Sequence, residues 1–176
     1  MFSHKLMAAT AALFISCAGT MAGADAARKS ATAEIKDAKG QKVGEAKFKE
    51  VKGGVQLSAK IENFSPGVHA IHIHEMGKCE APDFKSAGGH FNPAHKKHGM
   101  ENPDGHHAGD MPNLTVGANG KGMFKSTLQG VTLTGDGDNS LFHSGGTSLV
   151  IHEKQDDMKT DPAGNAGTRL ACGPIQ

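Results

Sequence analysis

The sequence has no tryptophan, no tyrosine, almost no net charge and no apolar run long enough for a comfortable membrane span. Its 176 residues include 19 lysines and arginines against 18 aspartates and glutamates, which gives a formal net charge of +1. This balance argues against a nucleic-acid or membrane-surface partner held by bulk charge. Helical periodicity and internal repeats are also lacking, and the length suits one domain with a sizeable core.

The most apolar stretch lies near the N-terminus, over residues 6–18. It follows a short basic head and precedes small residues with A-x-A cleavage sites over residues 22–26, a combination typical of a secretory signal. We therefore expect residues 1–26 to be a signal peptide and residues 27–176 to form a single exported domain.

The chain has only three cysteines. Cys17 lies in the predicted signal peptide and should leave with it. The alternative is lipidation, because Phe-Ile-Ser-Cys loosely resembles a bacterial lipoprotein processing site. Removal of Cys17 leaves Cys79 and Cys172, an even pair in an oxidising compartment, which predicts one disulfide.

Glycine is abundant, at 24 residues, and it marks turns between segments of alternating polar and apolar residues. These segments cover residues 32–75, 113–133 and 147–153, which predicts short antiparallel strands. Residues 76–112 and 154–168 are irregular. A loop as long as the first in a compact domain must be either disordered or held by something other than a core.

Histidine is over-represented, with 11 residues. In the segment HAIHIHE, His72 and His74 point to the same side of a strand, because residues two apart share a face. They are either a solvated pair or two ligands of a metal such as copper or zinc. More candidate ligands follow in the long loop and on an apolar strand: His90, His95, His98, His106, His107, Asp110 and His152. A tract that binds metal loosely is the alternative to an ordered site.

Six motifs carry a resemblance to a known family: HAIHIHE, GGHFNP, KKHG, HAGD, LVIHEKQDD and GNAGTRLACG. In this order and at these separations, the chain from about residue 32 onwards resembles the copper/zinc superoxide dismutases of the bacterial periplasmic type. The resemblance implies an all-β, Greek-key antiparallel barrel or flattened sandwich with the metals outside the barrel under two long loops. It also implies a periplasmic location, one copper and one zinc per subunit, no membrane anchor and a homodimer as a candidate assembly.

The resemblance assigns two ligand sets that share His90 as a bridging imidazolate. The copper ligands are His72, His74, His90 and His152. The zinc ligands are His90, His98, His107 and Asp110. Neighbouring histidines are separated by register, since His107 stands three residues before Asp110 and His98 directly precedes glycine. The remaining histidines are expected to be surface or structural residues: His4, His69, His95, His106 and His143.

The resemblance also assigns roles around the metals. Asp156 would link His72 to His98 by accepting their remaining N–H groups, and such partners orient metal ligands. Arg169 would receive the superoxide anion beside copper, and the disulfide between Cys79 and Cys172 would tie its strand to the loop that carries His90. Two lysines, Lys85 and Lys159, are candidates for steering the anion, although plain surface lysines are at least as good an explanation.

The implied reaction converts superoxide to oxygen and hydrogen peroxide by cycling between Cu(II) and Cu(I), with His90 delivering a proton. A different class of function must be weighed against it: a periplasmic protein that buffers or delivers copper or zinc without turnover. Arg169 together with all seven ligands favours the enzyme, because a buffer has no use for a cation that guides an anion.

Overall fold

The computed structural model describes residues 28–176, so the predicted signal peptide and Cys17 lie outside the described residues. This part of the chain folds into β-strands and one turn of 3-10 helix at Lys85–Ala87. The strands are β1 Ser30–Asp37, β2 Lys42–Val51, β3 Gly54–Ile61, β4 Gly67–His69, β5 Ile71–His74, β6 Leu114–Val116, β7 Gly122–Gln129, β8 Ser148–His152 and β9 Arg169–Pro174. The all-β prediction is confirmed.

The strands form one antiparallel sheet in the order β4-β6-β7-β3-β2-β1-β9-β8-β5. Its two edge strands, β4 and β5, are consecutive in the chain with only Ala70 between them. The main-chain groups of Ala70 bond to those of His152 and Lys154 at 2.9 and 2.8 Å. The sheet therefore curls into a nearly closed barrel.

The barrel core follows from the period-two alternation that the sequence shows. Along β3, Val55, Leu57, Ala59 and Ile61 are buried while the polar residues between them face outward. Each of the valine, leucine and isoleucine side chains contributes about 1.5–3 kcal/mol when fully buried. The core cluster consists of apolar side chains from these inward faces, which leaves the outward faces of the strands for polar residues.

Strands β5 and β8 depart from this alternation along their whole length. Every residue of β5 and of β8 is buried, because the core covers one face and long loops cover the other. The first loop joins β5 to β6 and the second joins β8 to β9. The disulfide between Cys79 and Cys172 fastens the first loop to β9, with a Cα–Cα distance of 5.6 Å. Phe84 and Ala87 of the loop pack beneath it against Val150. The predicted disulfide is thus present.

Candidate metal centre

Strand register brings the first group of histidines together on the outside of the barrel. In β5, Ile71 and Ile73 belong to the core, whereas His72 and His74 alternate with them and face the loops. Strand β8 pairs with β5 and ends at His152, and the loop residue His90 forms an isolated bridge with His74. The potential ligand atoms of the four histidines all lie within 4.8 Å of one another.

A second group surrounds the carboxylate of Asp110, which lies in the first loop. Its Oδ1 is 2.9 Å from His90 Nδ1, 3.1 Å from His98 Nδ1 and 3.3 Å from His107 Nδ1. Its Oδ2 accepts hydrogen bonds from the backbone N–H groups of Gly99 and His107. Three imidazole nitrogens and one carboxylate oxygen therefore converge, and His90 is common to both groups.

Asp156 connects the two groups by accepting a hydrogen bond from one histidine of each. It accepts hydrogen bonds from His72 Nε2 at 2.7 Å and from His98 Nε2 at 3.0 Å. Both rings thereby use Nε2 for this bond, which leaves Nδ1 as the atom that would bind a metal. Gly164 lets the backbone of the second loop reach this point, because its φ is +61° and a Cβ there would overlap Asp156 and His98.

Histidine ring nitrogens without a hydrogen-bond partner indicate where a metal would fit. Within residues 28–176, His72 Nδ1 and His90 Nε2 are buried without a hydrogen-bond partner. His74 donates from Nδ1 to the carbonyl of Gly88 at 3.0 Å, which leaves its Nε2 3.4 Å from His152 Nε2. Unpartnered buried nitrogens are costly, and a metal would satisfy them. Four nitrogens suit copper(II), and three nitrogens with one carboxylate oxygen suit zinc.

The two groups differ in protonation. Burial lowers the pKa of His90 to about 4 and that of His152 to about 2, and repulsion from neighbouring histidines adds to the effect at His152. Burial also acts on His98, but its hydrogen bonds to Asp110 and Asp156 outweigh it and raise the pKa to about 9. Near neutral pH the rings of His90 and His152 are therefore neutral and ready to bind a metal, whereas His98 exchanges a proton for a metal.

Arg169 opens β9 and is half-buried beside the first loop. Its Nη1 donates to the carbonyl of Phe84 at 2.7 Å, and its Nη2 donates to the carbonyl of Gly88 at 2.6 Å. The Gly88 carbonyl also accepts from His74, so one peptide group connects the guanidinium to the histidine cluster. Burial lowers the pKa of Arg169, yet an arginine remains charged. The side chain lines a cleft of about 590 Å³.

Comparison with known proteins identifies the kind of centre. The family model described as copper/zinc superoxide dismutase (SODC) matches residues 42–175. The chain belongs to the copper/zinc superoxide dismutase family. Superoxide dismutase (Cu-Zn) 1 of Aquifex aeolicus is 50% identical over 145 residues, covering 82% of this chain and 86% of that protein. The corresponding enzyme of Caulobacter vibrioides is 42% identical over 149 residues, covering 84% and 86%.

The fold comparison agrees. A crystal structure of a SOD-like protein from Bacillus subtilis superposes with a TM-score of 0.78 at 38% identity, covering 82% of this chain and 97% of that one. The chain is therefore a superoxide dismutase, an oxidoreductase whose family uses copper and zinc and acts on superoxide. Its bacterial relatives and its disulfide indicate an exported protein. Residues 28–176 include no helix that could cross a membrane.

The other histidines of this dismutase lie outside both groups. His69 is buried, and its ring bonds to the carbonyls of Ser65 and His152 at 2.9 and 2.8 Å. His95 and His106 are exposed, and His143 is half-buried with its ring stacked on Phe91. His4 lies outside the described residues.

The two candidate steering lysines are both ion-paired. Lys85 lies 2.9 Å from Asp83, and Lys159 lies 3.0 Å from Glu101. An ion pair reduces the field that a lysine projects towards an approaching anion. Arg169 is not in an ion pair within the described residues, and its two bonds go to neutral carbonyls.

Several residues of the centre were not predicted from the sequence. The carbonyls of Phe84 and Gly88 act through the main chain, which leaves no side-chain signature. Asn113 holds the backbone of Asp156 from both sides: its Nδ2 donates to the Asp156 carbonyl at 2.9 Å, and its Oδ1 accepts from the Asp156 N–H at 2.8 Å. Its position three residues after Asp110, at the exit of the ligand-bearing loop, is the only sequence signal that could have indicated it.

Proposed function

We propose that the first group of side chains binds copper, that the second binds zinc, and that His90 bridges the two metals in a periplasmic superoxide dismutase. The copper ligands are His72, His74, His90 and His152, and the zinc ligands are His90, His98, His107 and Asp110. The observation that carries the proposal is the position of His90. Its Nδ1 lies 2.9 Å from Asp110, while its Nε2 is buried without a partner. Its ring centroid is 4.1 Å from that of His72 and 4.9 Å from that of His74.

Copper held by these histidines would supply the redox chemistry, by which two superoxide anions and two protons become one oxygen and one hydrogen peroxide. Arg169 binds the incoming anion, because it stays charged and has further N–H donors besides the two that hold it to the loop. In the half of the cycle in which Nε2 is not a metal ligand, His90 would hold a proton there and deliver it to the reduced oxygen species. Asp156 keeps the rings of His72 and His98 in orientation throughout.

The same proposal covers processing and assembly. Residues 1–26 direct export and are removed, the mature enzyme begins between Asp25 and Ala27, and Cys17 is absent from it. The apolar run with adjacent A-x-A sites supports this, as does the disulfide, which requires an oxidising compartment. The intact mass of the exported protein tests it, and a diacylated Cys17 would overturn it. The mass of the native assembly decides between a monomer and a homodimer, which is the candidate assembly.

The central experiment replaces His90 with alanine. We expect the spectra of bound copper and zinc-site cobalt to lose their mutual dependence. Dismutation should fall by more than about 100-fold, beyond the 10–100-fold typical of losing an outer partner of a metal ligand. His95→Ala and His106→Ala are matched controls in the same loop, and both should retain activity and metal content. Equal losses in all three variants would show that the loop binds metal only loosely. Metal binding without dismutation in the wild type would instead indicate a metal buffer.

A further inference from the structure

The two loops over the metal centre also contact each other through backbone and side-chain groups that are not candidate ligand atoms. Residues 97–101 of the first loop lie against residues 156–161 of the second, and we call this region the inter-loop contact. Asp161 is central to it. Its Oδ1 accepts a hydrogen bond from the backbone N–H of His98 at 2.8 Å, and its Oδ2 lies 3.3 Å from Lys97 Nζ.

Two further contacts hold the same segments together. The backbone N–H of Glu101 donates to the carbonyl of Met158 at 3.1 Å, and the Glu101 side chain pairs with Lys159. Gly99 has φ +105°, and a Cβ at this position would overlap the Met158 carbonyl. The two loops come so close together here that only glycine fits at position 99, directly after His98.

His98 is thereby fixed at both ends. Its ring is held by Asp156 through Nε2, and its main chain is held by Asp161 through N–H and by Asn102 Nδ2 through the carbonyl at 3.0 Å. The residue is fully buried. A ring with a fixed Nε2 still swings at Nδ1 if its backbone shifts, because the imidazole is attached through two rotatable bonds.

We propose that Asp161 is a positioning residue for the zinc site: it sets the main chain of His98 so that Nδ1 points at Asp110. The inference rests on the proposed function of His98 as a zinc ligand. It assigns to the second loop the task of bracing the first one, in addition to carrying Asp156.

The two interactions of Asp161 differ in strength. Its ion pair with Lys97 joins side chains that are 41% and 59% exposed, and exposed pairs contribute little. Its bond to the His98 N–H is charge-assisted and partly buried, and such bonds are the stronger kind. The positioning effect should therefore depend on the hydrogen bond and not on the charge pair.

Three variants separate these bonds. Asp161→Ala removes both, Asp161→Asn keeps an acceptor for the His98 N–H, and Lys97→Met removes only the ion pair. Zinc affinity, measured by competition with a chelator, should fall by about 10–100-fold in Asp161→Ala, as for other outer partners of metal ligands. Asp161→Asn and Lys97→Met should stay within about threefold of the wild type, on the basis that exposed pairs contribute little. The absorption bands of cobalt bound at the zinc site should shift in Asp161→Ala and be restored in Asp161→Asn.

Two controls keep this proposal distinct from the proposed function. His98→Ala tests the ligand directly, and unchanged zinc affinity in this variant would refute the zinc role itself. Amide exchange at His98 in the metal-free protein tests the brace without zinc, and it should accelerate in Asp161→Ala only.

If His98→Ala weakens zinc binding but Asp161→Ala leaves affinity, spectrum and exchange unchanged, the positioning role is wrong. Should Asp161→Ala fail to fold, the other two variants still decide, because a tenfold loss of zinc affinity in either would show that the charge pair, not the hydrogen bond, is what matters.

Discussion

The copper-side and zinc-side groups share one histidine but are built by opposite means. Three of the four copper-side histidines stand on barrel strands, β5 and β8, whose register places them side by side. All four zinc-side residues stand in the first loop, where carboxylates hold them and His90 is also bridged to β5. The copper side is thus set by folding of the barrel, whereas the zinc side depends on the attachment of the loop. Perturbing the loop should harm one side more than the other.

Removing the disulfide is the test of this difference with the largest expected effect. Cys79 and Cys172 are 93 residues apart, and closing a loop of that size is worth about 4–5 kcal/mol in the chain-entropy model. Replacing both cysteines with alanine should lower the free energy of unfolding by about that amount. Chemical denaturation measures the loss, and amide exchange should accelerate in the first loop more than in β2 and β3. A change below about 1 kcal/mol would mean that packing of Phe84 and Ala87 alone holds the loop.

The second test uses pH on the metal-free protein. The pKa of His98 is raised from 6.5 to about 9, so its contribution is fully present below pH 6.5 and is lost as pH rises through about 9. On the copper side the pKa of His90 is lowered to about 4. The stability that its neutral ring contributes is therefore lost as pH falls from 6.5 through about 4. Stability should therefore decline on both sides of a maximum near pH 6.5, by roughly 3 kcal/mol on the alkaline side.

One variant separates the two limbs of that profile. His98→Gln should flatten the alkaline limb and leave the acid limb in place, as followed by thermal unfolding between pH 4 and 10. Zinc should flatten the alkaline limb of the wild type as well, because a bound metal replaces the proton on His98. An alkaline limb that survives in His98→Gln would show that another group titrates there.

The same contrast explains what could be predicted from the sequence. Alternating segments predicted the strands β1 to β3 and β7, because half-buried strands leave a periodic signal, whereas β5 and β8 are buried on both faces. The candidate ligands were visible as motifs of distinctive side chains. The contacts of Gly88 are made by its backbone carbonyl, which no side chain marks in the sequence. The partners of Asn113 and Asp161 lie in a loop distant in sequence. These contacts depend on loop conformation, which local pattern does not determine.

The third test concerns the anion and has a smaller expected effect. Arg169→Ile should lower the dismutation rate about tenfold, and Arg169→Glu should lower it further by repelling superoxide, since a focused charge raises on-rates by about 10–1000-fold. Copper and zinc contents should not change, because Arg169 is not a candidate ligand. The wild-type rate should fall with ionic strength as salt screens the charge over about 10 Å at 0.1 M. Equal rates in the wild type and Arg169→Glu would refute the guiding role.

The smallest expected effect concerns Lys85 and Lys159, whose effect on superoxide is compared with that of Arg169. Lys85 and Lys159 each lie within about 3 Å of an acid and are well exposed, so at most a small part of their field reaches the centre. Lys85→Met and Lys159→Met should therefore change the dismutation rate by less than about twofold at 0.1 M salt. Removing an acid should do more than removing its lysine: Glu101→Gln frees the charge of Lys159 and should raise the rate slightly at low salt. A tenfold loss in either lysine variant would show that its ion pair opens in solution and that its loop steers superoxide; for Lys159 that would add steering to the bracing role of the second loop.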